Sequence, residues 1–165
     1  MSDDDADFLP ILLDEDDSNR DKTAIPNTLP LLPLRNTVLF PGVVLPITIS
    51  RDKSILAVKE AYKTNKLIGV VSQIDVSIEE PNFQDLFKIG TVAQILRMIK
   101  MPDGSTTAIL QGRSRFESLE LLTTDPYMTV KLQSLSEEFP KGDKEFDASI
   151  MTIKDLANNI IKINP

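Results

Sequence analysis

The sequence predicts a mainly β domain, a small barrel with one or two short helices, followed by the start of a helical unit. Three observations carry this. Five or six short runs of β-branched and apolar residues recur with short connections between them. Only one helical period, Asp52 to Thr64, interrupts them, and after Glu137 the period turns helical for the rest of the chain. An open sheet of this size would leave its edges unprotected, and curling into a barrel removes them.

The first apolar stretch, Leu29 to Ile49, holds Pro30, Pro33, Pro41 and Pro46, with Pro26 just ahead of it. A helix cannot carry those ring clashes, and a central strand is not expected to lose so many donors. Short extended pieces joined by fixed corners are therefore expected, as at the entrance to a barrel. Val38-Leu39-Phe40 reads as a short strand, Pro41-Gly42 as a turn and Val43 to Ile49 as a second strand. Ser50 is placed to cap the next element. In that element Ile55, Val58, Ala61 and Tyr62 fall at helical spacing, with Lys53, Lys59, Glu60 and Lys63 on the wetter side.

Leu67 to Val71 is the next strand, with Gly69 marking a bend or a close approach. An acidic loop follows from Asp75 to Asn82, and Phe83, Leu86 and Phe87 suit one helical turn plugging a barrel opening. Gly90 precedes a strand over Thr91 to Lys100. Pro102-Asp103-Gly104 is a hairpin turn, and the return strand from Thr106 is expected to be interrupted at Gly112. Asp125-Pro126 makes a corner before a last strand, Tyr127 to Leu135. Pro140 and Gly142 mark a linker. Ile150, Ile153, Leu156, Ala157, Ile160 and Ile161 then form one apolar stripe on a helix from Asp147, about 25 Å long. The division expected is an acidic, disordered leader over 1–27, a barrel over 28–136, a linker over 137–146 and a first helix of a larger helical unit over 147–165.

Charge is unevenly placed. Residues 1–25 carry Asp3, Asp4, Asp5, Asp7, Asp14, Glu15, Asp16, Asp17 and Asp21 against Arg20 and Lys22, which accounts for the whole net charge of -7. The remaining residues balance. A nucleic-acid partner would want a basic surplus, so Arg113 and Arg115, even extended by Arg97, Lys100 and Lys131, make a weak case for RNA. Within the leader, Phe8-Leu9-Pro10-Ile11-Leu12-Leu13 is an apolar island between acids, a pattern suited to docking on a neighbour.

Cysteine and histidine are both absent, which rules out disulfides, Cys/His zinc sites and a histidine-based triad. No signal-like leader and no apolar run near membrane-spanning length occur, so a soluble, cytoplasmic chain with no membrane partner is expected. No G-x-x-x-x-G-K-[ST] loop is present to cradle phosphates, and no glycine-flanked serine suits a nucleophile elbow. The chain is expected to be catalytically silent, with no catalytic, cofactor or metal residue.

The run Leu31-Leu32-Pro33-Leu34-Arg35-Asn36-Thr37-Val38-Leu39-Phe40-Pro41-Gly42 resembles the opening of the amino-terminal domain of the Lon family of ATP-dependent serine proteases. Three more stretches are similar in the right order: Glu80-Pro81 ahead of Asp85-Leu86-Phe87-Lys88-Ile89-Gly90-Thr91-Val92-Ala93, then Met101-Pro102-Asp103-Gly104 with Gln111-Gly112, and finally Ile163-Asn164-Pro165. Together they span residue 29 to the end; the acidic leader has no counterpart. The resemblance implies a PUA-like barrel that recruits unfolded, damaged or tagged proteins and supports assembly of a hexameric ring. It also implies that an ATP- and Mg-dependent motor and a serine–lysine proteolytic site lie outside these residues.

A surface that recruits unfolded chains should offer shallow apolar patches. Leu31, Leu34, Phe40, Pro41, Phe83 and Phe87 are the candidate substrate contacts, each of them also a plausible core residue. Ile153, Leu156 and Ile160 are the candidate contacts between subunits. The chain alone is expected to be a monomer or a weak dimer. Two other readings stay open: a purely structural oligomerisation domain, and a stand-alone PUA-like module binding RNA or a small ligand.

Overall fold

Prolines 30 and 33 lie inside a strand that is paired on both sides. In the computed structural model, which describes residues 24–136, 138 and 140–163, β1 (Thr28–Leu34) sits between β3 (Leu67–Ser72) and β6 (Thr129–Leu135). The expectation that so many prolines exclude an interior strand is overturned because the two neighbours use different halves of β1. Thr28, Leu29 and Pro30 pair with β6, whereas Leu31 to Leu34 run parallel to Gly69–Ser72 of β3. Each proline therefore faces one ladder rather than two.

The other strands are β2 (Val44–Ile49), β4 (Ile89–Lys100) and β5 (Thr106–Thr123). β5 pairs with β4, β4 with β3, β3 with β1 and β1 with β6, and β6 returns to β5, so the sheet closes on itself. β2 joins the first half of β5, opposite Thr106 to Gln111, and β6 takes the second half from Arg115 onward. Gly112 does not end the strand. Register shifts between Val92 and Ala93, and between Ile95 and Arg97, bend the β4–β5 ladder instead, and two more occur against β6. Such bulges let one 18-residue strand serve three neighbours in turn.

Helix α1 (Asp52–Lys63) covers one face of the sheet, burying Ser54, Ala57, Val58 and Ala61. Its N-cap residue is Arg51, with no side-chain cap, so Ser50 does not play the part expected of it. β1 is buried on both faces. Leu32 and Leu34 join α1, Ile68, Ile95 and Leu110 in one apolar cluster, while Leu29 and Leu31 join Val92, Phe116 and Val130 in another. At the hairpin after β4, the Ser105 hydroxyl and then its amide donate to Asp103 Oδ1, at 2.7 and 2.9 Å, which holds that carboxyl below its ordinary range. The Asp125–Pro126 corner is a cis peptide.

Contacts divide the chain into two units at Leu135/Ser136. In the second, α2 (Lys144–Ile163) begins three residues ahead of the expected Asp147, because Asp143 caps it: Asp143 Oδ1 accepts from the Glu145 and Phe146 amides at 2.9 and 3.3 Å. At the other end of the chain, Ile25 packs against the barrel core and the Leu132 amide donates to the Asn27 carbonyl at 2.8 Å, so the barrel takes in residues assigned above to the leader. The Phe8–Leu13 island, most of the leader and Asn164-Pro165 lie outside the described residues. Among the described residues, no helix is long and apolar enough to cross a membrane.

Candidate functional site

Residues 36–43, between β1 and β2, hold the first half of the site. Val38-Leu39-Phe40 was expected as a strand, yet it forms no ladder. Side chains fix it instead. The Ser72 hydroxyl donates to the Thr37 carbonyl at 2.7 Å, and the buried Thr91 hydroxyl donates to the Leu39 carbonyl at 2.6 Å. The following turn is clamped onto β5 by a reciprocal pair at 2.9 Å each, Gly42 N–H to the Gly112 carbonyl and Gly112 N–H to the Val43 carbonyl. Held this way, the segment alternates: Leu39 points into the core, while Val38 and Phe40 stand 52% and 51% exposed.

The second half comes from the loop between β3 and β4. Its anchor is Gln73, a buried amide whose needs are met locally. Its NH2 donates to the Asp75 and Ile78 carbonyls at 3.2 and 2.9 Å, and its carbonyl accepts from Arg51. Arg35 also donates to Ile78 O, at 2.8 Å. Partial burial, then the like charge of Arg35, lowers the Arg51 pKa, and Glu80 opposes them. Ile74 N–H to Asp85 O at 2.8 Å and Phe87 N–H to Ser72 O at 3.1 Å close the loop back on itself. The expected plugging turn is a 3-10 turn, Phe83–Asp85, and Leu86 after it is the buried plug. Neighbouring Phe87 faces outward, 51% exposed, with Ile74 and Ile89 also exposed.

These two segments border an apolar groove of about 750 Å³, lined by Val38, Ile74, Phe83, Leu86, Phe87 and Ile89, with Lys88 and Arg115 at its rim. The Arg115 guanidinium lies 5.6 Å from the centroid of the Phe40 ring and so ties that ring to the rim. On the far side of Phe83 a more polar cavity of about 420 Å³ is bordered by Arg51, Glu80 and Lys53. The Lys53 ammonium pairs with Asp125 at 2.8 Å, a contact that raises its pKa.

Of the residues singled out in the sequence, Phe83 and Phe87 line the groove and Phe40 reaches its rim through Arg115. Pro41 is half-buried in the turn. Leu31 and Leu34 are corrected: at 2% and 4% exposure they are core, because β1 buries both faces. Val38, Ile74 and Ile89 were missed; in the sequence they look like ordinary strand or loop apolars. Arg113 donates to Gln94 at 2.8 Å and Arg115 covers Phe40, so neither guanidinium supplies the open basic face an RNA reading needs. Ile153, Leu156 and Ile160 all lie exposed on α2. Among the described residues, no cluster of three or more His, Cys, Asp or Glu side chains could hold a metal.

The family model for the ATP-dependent protease La (LON) substrate-binding domain matches residues 28–165. The chain belongs to that family. The Lon protease of Flavobacterium johnsoniae is 51% identical over 99% of this chain and 20% of its own length. That of Cytophaga hutchinsonii is 48% identical over 96% and 20%. This chain thus spans about a fifth of these Lon relatives. Among solved structures, the N-terminal domain of a Mycobacterium avium complex Lon protease aligns with a TM-score of 0.60 at 19% identity, covering 82% of this chain and 73% of that one. A Lon N-terminal domain protein from Xanthomonas campestris aligns at 0.53 and 20% identity, covering 71% and 67%. Both share the fold of this Lon-family domain.

Proposed function

We propose that this domain captures exposed apolar segments of unfolded or damaged proteins in the groove between residues 38–40 and 74–89, and delivers them to an ATP-dependent serine protease of which it forms part. The supporting observation is the groove itself. Val38, Ile74, Phe87 and Ile89 are all exposed around one cavity on fixed backbone, and exposed Phe40 adjoins its rim at Arg115. Large apolar side chains gathered this way mark an interaction surface. Burying two or three of them contributes only a few kcal/mol, and association itself costs several. Each site is therefore weak, and six sites acting on one chain would be needed for firm capture. In this reading ATP, Mg and the serine–lysine chemistry belong to parts of the parent protein beyond residues 1–165, in the cytoplasm.

Phe87→Asp tests the proposal, because a half-exposed side chain can be changed without opening the core. Binding of reduced, carboxymethylated α-lactalbumin to residues 1–165 should weaken about tenfold or more, the equivalent of one lost apolar contact. Unchanged affinity in a variant with native circular dichroism would reject the groove as the capture site.

Support for ring assembly is part of the same proposal and draws on α2. Its exposed Ile153, Leu156 and Ile160 follow a three-then-four spacing, which puts them on one side of the helix. Changing all three to Asp in the parent protein should shift its sedimentation from hexamer toward smaller species. A hexamer that survives the triple change would remove α2 from the assembly role.

A further inference from the structure

We propose that the groove has an occupant within the same chain: the leader's apolar island, Phe8 to Leu13, docks there and competes with substrate. This rests on the reading of the groove as the capture site and adds its regulation. Three features of the chain support it.

The first is position. The Leu132 amide bonds to the Asn27 carbonyl, and Thr28 pairs with Lys131. That antiparallel register carries the residues before Asn27 along β6 toward Leu135, and Ile25, Asn27, Gln133 and Ser134 border one small cavity. Leu135 pairs with Arg115, the groove's rim residue. Continued to Ala24, that register would bring the chain opposite Leu135, about two strand spacings, roughly 10 Å, from Arg115 at the groove's rim.

Reach is the second. Residues 14–23 separate the island from Ala24, and ten residues extend to at most about 33–36 Å. That is ample slack for a gap of this size. The tether also makes the encounter intramolecular, with an effective concentration on the order of millimolar.

Chemistry is the third. The island is a short apolar run with Asp7 before it and Asp14, Glu15, Asp16 and Asp17 after it. The groove is an apolar trough whose rim carries Lys88 and Arg115. Apolar meets apolar, and the acids that flank the island meet the Lys88 ammonium at the rim. The leader therefore looks to the groove like the segment of an unfolded protein.

The test uses residues 1–165 with Leu9→Asp and Leu12→Asp, compared with the unaltered chain. A fluorescein-labelled peptide of residues 6–15 serves as probe. The leader variant should bind the probe about tenfold more tightly, because its groove is vacated, and adding Phe87→Asp should abolish that gain. Methyl resonances of Ile74 and Ile89 should also move between the two chains at a single low concentration. Equal probe affinity together with unmoved methyl signals would overturn the proposal. Methyl shifts that depend on protein concentration would overturn it too, since they would place a second copy's leader in the groove. If the leader variant changes nothing while Phe87→Asp still weakens α-lactalbumin binding, the in-chain occupant fails and the capture site stands. Should Phe87→Asp leave α-lactalbumin binding untouched, the capture reading itself fails.

Discussion

Replacing Phe116 with alanine should lower stability by about 3–5 kcal/mol, enough to consume a large part of what a domain of this size possesses. The ring is fully buried in the barrel interior among Leu29, Leu31, Val92 and Val130. It also crowds two glycines, together with other neighbours. Phe116 pairs directly with Gly90 across the β4–β5 ladder, and a Cβ on Gly90 would lie 2.8 Å from the ring and 2.4 Å from the Val70 carbonyl oxygen. A Cβ on Gly69 would lie 3.0 Å from Leu31 and 3.1 Å from the same ring. Neighbours fixed in a closed sheet can relax little into the space left behind, so the cavity persists. Urea melts followed by circular dichroism check this. A loss below about 1 kcal/mol would mean that the barrel collapses around the gap. Filling the gap with Gly90→Ala in the same chain should not restore stability, because the contact with the Val70 carbonyl is backbone and remains.

Local pattern carried the helix α1, the Pro102–Gly104 turn and most strands, since each is decided by residues close in sequence. Where the sequence misled, the deciding partner was distant. Pro30 and Pro33 speak against an interior strand until β6 and β3 are seen to divide β1 between them. Val38-Leu39-Phe40 has the composition of a strand, but the Leu39 carbonyl and that of Thr37 just ahead of it accept from the hydroxyls of Thr91 and Ser72 rather than from a ladder. The groove was half legible. Phe83 and Phe87 stand out as aromatics in a polar loop, and Phe40 stands beside a proline turn. Nothing local separates exposed Ile74 and Ile89 from buried Ile68 and Ile95, because exposure there depends on whether a facing element exists. Leu31 and Leu34 were misassigned for the same reason: a Pro-rich run looks peripheral, and closure of the sheet makes it central.

Gly112→Ala should damage both fold and function although Gly112 lines no part of the groove. A Cβ there would fall 2.2 Å from the Phe40 carbonyl oxygen, 2.9 Å from its carbon and 3.2 Å from the Pro41 Cα. All three are backbone atoms, so no rotamer change relieves the clash. The turn over residues 40–42 must lift from β5, and the reciprocal 2.9 Å hydrogen bonds between Gly112 and Gly42 and Val43 go with it. Two such bonds and the strain together amount to about 2 kcal/mol or more. Lifting the turn also draws Phe40 away from Arg115 and breaks the ring–guanidinium contact at the groove's rim. Binding of unfolded α-lactalbumin should therefore fall severalfold at a temperature where the variant is still folded. Gly104→Ala is the matching control. Gly104, unlike Gly112, has a positive φ, +90°, and nothing lies within 4 Å of its added Cβ, so about 1 kcal/mol of backbone strain is expected there with no change in binding. Native binding by Gly112→Ala would show that the position of Phe40 does not matter to capture, and the groove would then rest on Phe87 and its neighbours alone.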